Sequence, residues 1–256
     1  MKLRDIPFPK EYGSWGILIT SCVIGIGLQH NPARDTLTTL ASLAGIAALF
    51  ATKASIGAAV RRRSAGMLVF TLAYAGAGLA LLVPALSRLS SGHILGLAAV
   101  PSITVAVYVL SAYLHRERAA VVEYSAMATL TLPVLFFYVT RTDTISMAIL
   151  SLWFVSFLFF SASIFKVKLL IFGSRSFRIA AVAHVAAACA FMAAFVYTLI
   201  IPWTTGLAFL PLLDNLYSAL MHRRSRVSLK RVGITELIKG IIFAAVLIAT
   251  TKTLFS

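Results

Sequence analysis

The sequence predicts an all-α, polytopic membrane helix bundle with about nine transmembrane helices. Of its 256 residues, 60% are hydrophobic and 12% are charged, and the mean hydropathy is +0.93. This leaves too little polar surface for a soluble domain. Apolar runs of about 20 residues, the length that crosses a bilayer as a helix, recur along the chain. They lack the polar/apolar alternation of barrel strands, and only helices or closed barrels satisfy backbone hydrogen bonds in lipid.

The spans follow from the apolar runs taken in order. The first is short and follows Pro9, which fixes its own φ and favours extended backbone at the residue before it. Pro101, Pro133 and Pro211 fall inside later spans, where ordinary kinks explain them and broken transporter helices are the alternative. A tight link at Pro202 predicts that spans seven and eight are antiparallel neighbours. The predicted spans are residues 15–29, 37–55, 67–86, 94–114, 119–140, 145–165, 179–200, 204–221 and 234–254.

We expect one integral membrane domain over residues 1–256. Basic loops follow spans two and six, four helices apart. This spacing predicts a duplicated arrangement with two four-helix halves, 10–115 and 116–222, and a last helix, 234–254.

The positive charge indicates orientation. The net charge is +15, but the basic residues lie in short loops between apolar runs. Anionic lipid head groups are therefore the expected partners, and nucleic acid is not. With a cytoplasmic N-terminus, 19 basic residues lie in cytoplasmic segments and four on the other side. We expect a multi-pass protein of the plasma membrane, of the bacterial inner-membrane kind. The four basic residues on the other side are Arg34, Arg88, Arg141 and Lys252.

Carboxylates within predicted spans are the strongest functional clue. An ionised group in hydrocarbon costs at least about 2.5–3.5 kcal/mol on insertion scales, so such groups usually face a cavity or a partner. Three of them fall in the cytoplasmic half of the bundle and a fourth at the threshold of the first span. We expect these acids to orient a ligand or to move a proton, as catalytic candidates. They are Glu11, Glu123, Asp214 and Glu236.

Structural explanations stand beside these roles. Glu236 and Lys239 are three residues apart on one helix and are able to pair. Glu123 is five residues from Arg118 and is able to pair at the interface. Asp214 has the least convenient local partner, and Asn215 beside it extends the polar patch.

Basic residues near the cytoplasmic ends of the helices are candidates for holding an anionic head group. Ordinary inside-positive loops and side chains that snorkel to lipid head groups are the alternatives. The candidate set is Lys10, Lys53, Arg61, Lys166, Lys168, Arg175 and Arg178.

Metal-binding residues are scarce in the sequence. Cys22 and Cys189 fall inside apolar runs and no CxxC pair exists, which predicts buried thiols. His184 lies within span seven, where we expect a hydrogen-bonded helix contact and not a ligand. We therefore expect no metal and no cofactor, and the oligomeric state stays open.

The N-terminal stretch Pro9-Lys10-Glu11-Tyr12-Gly13-Ser14-Trp15-Gly16 resembles the Pro-Lys-Glu-His-Gly signature of the YwiC-like membrane protein family. Tyr12 replaces the usual His. Residues 160–168 and 231–236 also resemble that family, and the resemblance runs over essentially the whole chain. It implies no established activity.

A more distant resemblance is to the intramembrane aromatic prenyltransferases of the UbiA superfamily. That resemblance implies nine helices, a cytoplasmic N-terminus and active-site loops after helices two and six. Those enzymes hold Mg²⁺ and a prenyl pyrophosphate with two Asp-rich motifs, which this chain lacks. Without paired carboxylates there is no evident Mg²⁺ site. The residues at the equivalent places are Lys53, Arg61, Arg62, Arg63, Lys166, Lys168 and Arg175.

Two functional hypotheses follow. In the first, an intramembrane cavity open to the cytoplasm binds an isoprenoid or quinone-like anionic lipid and, as an enzyme, transfers a group on it in the manner of a prenyltransferase. In the second, the chain is a non-enzymatic membrane protein, either an assembly partner of a respiratory complex or a small transporter. The sequence leaves catalysis open.

Overall fold

The computed structural model describes residues 12–29, 35–62, 65–114, 119–221 and 229–254. Every regular element in these ranges is a helix, which confirms the all-α fold. The α-helices are α1 (Tyr12–Gly27), α2 (Thr36–Arg62), α3 (Ala65–Leu86), α4 (Ser91–Tyr113), α5 (Ala120–Thr131), α6 (Pro133–Thr142), α7 (Met147–Phe172), α8 (Arg175–Tyr197), α9 (Leu212–Leu220) and α10 (Leu229–Thr251). Two 3₁₀ helices cover Trp203–Phe209 and Lys252–Leu254.

Membrane-crossing length is the test of the predicted topology. In the described part of the chain, seven helices are long and apolar enough to cross a membrane, with α5 and α6 together forming one of them. Helix α1 is apolar but shorter. The chain therefore has the character of a multi-pass membrane protein. The count of nine and the UbiA-like arrangement stay predictions.

The fifth predicted span, 119–140, consists of two helices that meet at Pro133. Proline has no N–H group and cannot continue the hydrogen-bond ladder of a helix. The Thr129 carbonyl instead accepts the N–H of Leu132 at 3.1 Å, as a tightened last turn does. The helix is therefore interrupted at the proline of this span.

The eighth predicted span, 204–221, is not one continuous helix. The 3₁₀ helix Trp203–Phe209 ends before Leu210 and Pro211, and α9 follows with nine residues. Pro211 has no N–H for the preceding turn, so the chain begins a new helix there. Neither piece has the length that crosses a membrane as a helix. The break places Asp214 in the first turn of α9.

The described residues form two compact units. Unit one contains residues 12, 35–62, 65–114, 119–126 and 139–143, and unit two contains residues 13–29, 127–138, 144–221 and 229–254. These units are defined by contacts within the fold and not by duplication of sequence. The predicted pair of four-helix halves therefore stays a prediction.

Unit one is held by a close contact between α2 and α3. A Cβ built on Gly45 would lie 2.8 Å from the Gly78 carbonyl oxygen, and one built on Gly78 would lie 2.7 Å from Leu49 Cγ. Such distances are possible only because both residues lack a side chain. The same pair of helices shares a hydrogen bond from Thr71 Oγ1 to Ser55 Oγ at 3.0 Å. Small residues thus let the two backbones approach.

Unit two is built around α7, of whose candidate span 61% of residues are buried, against 11% for α3 in unit one. The Ser146 hydroxyl accepts the Ile149 N–H at the start of α7, and Gly173, with φ of 62°, ends the helix in the left-handed region. The Phe159 ring of α7 stacks on Phe243 of α10 with centroids 3.9 Å apart. These aromatic contacts fill the interior between α7 and α10.

Candidate functional site

Two lysines and two carboxylates of unit two meet in one ionic cluster. Lys166 Nζ donates to Asp214 Oδ2 at 2.6 Å and to Glu236 Oε1 at 2.8 Å. Lys239 Nζ donates to Glu236 Oε1 at 2.9 Å and to Asn215 Oδ1 at 2.7 Å. It also pairs with Asp214 Oδ2. We call these five residues the Lys–acid cluster.

Three helices supply the cluster. Lys166 lies six residues before the end of α7, and Glu236 and Lys239 lie one turn apart near the start of α10. Asp214 lies in the first turn of α9, where the positive end of the helix dipole favours a carboxylate. The break at Pro211 determines where α9 begins and therefore where Asp214 lies. Lys166 thus meets two acids that lie 48 and 70 residues further along the chain.

The cations of the cluster are buried, while one of its acids is open. The side chains of Lys166 and Lys239 are each 9% exposed, that of Glu236 is 19% exposed and that of Asp214 is 47% exposed. Isolated buried charges are costly, whereas two ammonium groups and two carboxylates balance one another. A molecule that approaches the cluster therefore meets the Asp214 carboxylate.

Aromatic rings fill the space one to two turns along the helices from the cluster. Phe159 lies seven residues before Lys166, and Phe243 lies four residues after Lys239. Phe209 packs edge-on against Phe159, with centroids 6.2 Å apart. The Lys–acid cluster therefore borders a packed apolar interior.

The other predicted basic residues of unit two lie elsewhere. Lys168 is buried on α7, with its Nζ 5.9 Å from the ring centroid of Phe177. Arg175 and Arg178 are exposed in the first turn of α8. The structure thus brings Lys166 together with Asp214 and Glu236 but does not bring Lys168, Arg175 or Arg178 into the same contacts.

The remaining candidates lie outside unit two or outside the described residues. Lys53 on α2 and Glu123 in the first turn of α5 belong to unit one, and both are half-buried. Arg61 lies on α2, but its side chain is outside the described residues, as are Lys10 and Glu11 altogether. Their predicted roles stay predictions.

His184 joins two helices of unit two. Its Nε2 lies 2.9 Å from the Leu158 carbonyl oxygen and 3.2 Å from Ser161 Oγ, both on α7. This is the helix contact expected from the sequence. Among the residues that the structure describes, no three His, Cys, Asp or Glu side chains are grouped so that they could hold a metal ion.

A second ionic cluster lies in unit one, at the ends of α2, α3 and α6. Asp35 Oδ2 pairs with Arg88 and lies 3.6 Å from Arg141 NH1. Nearby, Asp143 Oδ1 lies 2.7 Å from His93 Nδ1. We call these five residues the Arg–Asp cluster. It joins segments that the predicted topology places on one side of the membrane.

The pKa of Asp143 lies below its usual range. The Ser90 backbone N–H donates to its Oδ1 at 3.0 Å and is the main cause, followed by the hydrogen bond with His93. Asp143 is therefore an anion at neutral pH, and its carboxylate is held in place from one side.

Comparison with protein families identifies the chain. A model of the YwiC-like protein family matches residues 8–138, just over half of its length. The chain belongs to the YwiC-like family. Neither the comparison with curated proteins nor that with solved structures gave a match.

The family match covers α1 and unit one as far as residue 126, but neither residues 139–143 of unit one nor any residue of the Lys–acid cluster. It includes the stretch Pro9–Gly16 that resembles the family signature. It ends before Lys166, so the resemblance of residues 160–168 and 231–236 to YwiC-like proteins stays a prediction. So does the more distant likeness to UbiA-superfamily prenyltransferases.

Sequence reasoning missed part of both clusters. Lys239 was expected only to pair with Glu236, yet it also contacts Asp214 and Asn215. A lysine within an apolar span carries the same insertion cost as an acid, and that cost is the signal that could have placed Lys239 among the candidates. For Arg88 and Arg141, the signal was that few basic residues lie on the non-cytoplasmic side of the predicted topology, and these are two of them.

Proposed function

We propose that this YwiC-like protein binds the head of an amphipathic anionic lipid, of the isoprenoid or quinone-like class, at the Lys–acid cluster. In the proposal the cluster faces the cytoplasm of a cell whose plasma membrane holds the bundle. The observation that carries the proposal is the meeting of two buried ammonium groups with one half-exposed carboxylate. The two ammonium groups together have six N–H donors, which suit a head group rich in oxygen atoms.

Asp214 is the group that such a head would replace. Both lysines contact its Oδ2 atom, and its side chain is the most exposed of the four ionic groups. An anionic head group in the same place would keep both ammonium groups paired, so the exchange would leave no buried cation alone. Glu236, which is less exposed, would remain the permanent counter-ion.

Group transfer on the bound lipid is the reaction class that fits these residues. As the oxygen of an incoming hydroxyl group bonds to the lipid carbon that carries the anionic head, the bond between that carbon and the head would break. The head would leave with the bonding electron pair and stay on the two ammonium groups, and the displaced Asp214 carboxylate would accept the proton of the hydroxyl group. Roles for the other candidates stay predictions of the same proposal. They are Lys10, Glu11, Lys53, Arg61, Glu123, Lys168, Arg175 and Arg178.

Lipid analysis of the purified full chain tests the proposal. We expect wild type to retain an isoprenoid or quinone-like lipid detectable by mass spectrometry after mild detergent extraction. Asp214→Asn removes the competing carboxylate charge and should raise retention of an anionic lipid by about tenfold, the scale of one charge-assisted hydrogen bond. Lys166→Met should lower it. Arg231→Gln removes an exposed charge on α10 and should leave it unchanged.

The contrary results are equally clear. A purified protein without any such lipid, or one whose retention is the same in all four forms, would rule out a lipid site at the cluster. Because Lys166→Met leaves Asp214 and Glu236 with one cation fewer, its yield and melting temperature must be measured beside the lipid. Asp214→Asn replaces a half-exposed carboxylate by an amide, so the test can be decided with this variant if Lys166→Met does not fold.

A non-enzymatic role is the second candidate, as a small transporter or as an assembly partner of a respiratory complex. The transporter is favoured by the helix break at Leu210 and Pro211, directly before Asp214. Transporters commonly place ionic sites at such discontinuous helices. Proteoliposomes that contain a pH-sensitive dye would then show proton flux that Asp214→Asn abolishes, whereas a lipid-binding protein would show none.

A further inference from the structure

We propose that the Arg–Asp cluster of unit one lines a second binding site, for a zwitterion that carries a phosphate and a primary ammonium group. This is the chemistry of phosphoethanolamine. The site is independent of the Lys–acid cluster and of the function proposed for it. It is a cavity of about 360 Å³ lined by Arg88, Thr140, Arg141, Thr142 and Asp143.

One part of the lining is cationic. Arg88 and Arg141 share the same Asp35 oxygen, so two guanidinium groups face one carboxylate. Arg88 NH2 also donates to Thr38 Oγ1 at 3.2 Å. Each guanidinium carries five N–H groups in a planar fork that matches the oxygens of a phosphate. The contacts with Asp35 and Thr38 use only part of that capacity and hold the guanidinium groups beside the cavity.

The other part of the lining is anionic. Asp143 Oδ1 accepts the Ser90 N–H at 3.0 Å and lies 2.7 Å from His93 Nδ1. These contacts orient the carboxylate, whose side chain is 47% exposed. Its second oxygen is the acceptor that the site offers to an ammonium group. A primary ammonium donates hydrogen bonds to it, whereas a quaternary ammonium cannot.

The balance of charge favours a zwitterion over a simple anion. Two arginines face two aspartates across the cluster, so a lone phosphate would also meet the Asp143 carboxylate. The volume falls within the range of small-molecule sites. The cluster lies at the ends of candidate membrane spans, and Val83 and Leu95, five residues before Arg88 and two after His93 in sequence, are exposed apolar side chains. The zwitterion is therefore either a lipid head group, with its acyl chains along such side chains, or a free solute.

Native mass spectrometry of the detergent-purified full chain tests the site. The probes are phosphatidylethanolamine, phosphatidylcholine and phosphatidylglycerol with identical acyl chains. We expect phosphatidylethanolamine to be retained best, because it alone offers both the phosphate and the primary ammonium. Arg141→Gln and Asp143→Asn should each lower its retention by about tenfold. Asp143→Asn keeps an oxygen acceptor for the Ser90 N–H and so tests the charge alone.

The control variant and the soluble probe separate the outcomes. Lys252→Gln removes an exposed basic residue that is predicted on the same side but lies outside the cavity, and it should retain as much lipid as wild type. Binding of O-phosphoethanolamine that Arg141→Gln abolishes, without lipid selectivity, supports the site with a soluble zwitterion as its ligand. Phosphatidylglycerol retained as well as phosphatidylethanolamine together with no binding of O-phosphoethanolamine, or equal binding of both probes by Arg141→Gln and Lys252→Gln, would overturn the proposal. If Arg141→Gln does not fold, Asp143→Asn decides.

Discussion

The two ionic clusters share a geometry but differ in their surroundings. In each, one carboxylate oxygen contacts two cations: Asp214 Oδ2 serves two lysines, and Asp35 Oδ2 serves two arginines. The lysine side chains are 9% exposed, whereas that of Arg88 is 42% exposed. A buried charge depends on its partner, and an exposed one is solvated without it. The same contact therefore has a different energetic weight in the two units.

The second carboxylate of each cluster also differs in what surrounds it. Glu236 contacts both lysines, so the buried cluster is neutral within its own contacts. Asp143 instead contacts Ser90 and His93 and lines a cavity. The buried cluster is closed on itself except at Asp214, and the exposed one leaves charged groups available to a ligand.

The largest effect should come from Lys166→Met. Removing one buried cation leaves Asp214 and Glu236 with Lys239 alone. Breaking a fully buried pair costs about 3–5 kcal/mol, and the loss here should lie at the lower end of that range because Asp214 is 47% exposed and Lys239 still pairs with both acids. We expect the free energy of unfolding, measured by denaturing detergent titration in mixed micelles, to fall by that amount.

Lys166→Arg is the matched comparison for that prediction. It keeps a positive charge with N–H donors at the position that faces Asp214 and Glu236, so its cost should be clearly smaller. Equal losses for the two variants would mean that the charge of Lys166 carries no special weight.

A smaller effect should come from Gly78→Ala in unit one. The added methyl group would lie 2.7 Å from Leu49 Cγ and 3.0 Å from the Gly45 carbonyl oxygen. Such overpacking costs about 1–3 kcal/mol.

Arg88→Gln, which removes an exposed ion pair, should cost no more than about 1 kcal/mol by the same measurement. This order would show that helix packing, and not its ionic cluster, holds unit one together.

Gly76→Ala is the control on the same helix. No atom lies within 4 Å of a Cβ built there. Because alanine favours a helix more than glycine does, this variant should be as stable as wild type or more so. A loss as large as that of Gly78→Ala would contradict the close contact between α2 and α3.

The smallest effect concerns acid pH and Asp143. Because the Ser90 N–H and His93 hold the pKa of this carboxyl below its ordinary value, its ionised form stabilises the fold. That contribution is fully present above about pH 4, the ordinary range of an aspartate, and is lost as the pH falls through the lowered value. The melting temperature of Asp143→Asn should lie slightly below that of wild type at pH 6, and the difference should shrink as the pH falls below about 4. A difference that does not change with pH would assign the effect to packing.

The fold class was predictable because hydropathy and the length of each apolar run can be read from the local sequence alone. The exposed leucines of α3 and α4 and the buried face of α7 needed no knowledge of distant contacts to be placed in helices. The helix break at Pro211 was harder to predict. Pro133 also interrupts its span, yet α5 and α6 together keep the length to cross a membrane, and nothing in the local sequence separates the two cases.

The site was predictable only in part, for a related reason. The cost of a charge in hydrocarbon singled out Asp214, Glu236 and Lys166, which do meet. It could not tell that Lys168, two residues from Lys166, points to another neighbour, because that depends on the rotation of α7 within unit two. Lys239 joined the cluster because its helix face carries Glu236 one turn earlier, and three-dimensional contacts gave it further partners.

Both lysines contact the same Asp214 oxygen atom. If α9 moved outward by the length of one hydrogen bond, both ammonium groups would lose that carboxylate together, so intermediate positions would be the costliest. We therefore expect this short helix to have an engaged and a released position, and the released fraction to rise hyperbolically with the concentration of the anion that replaces the carboxylate, since one anion replaces one carboxylate.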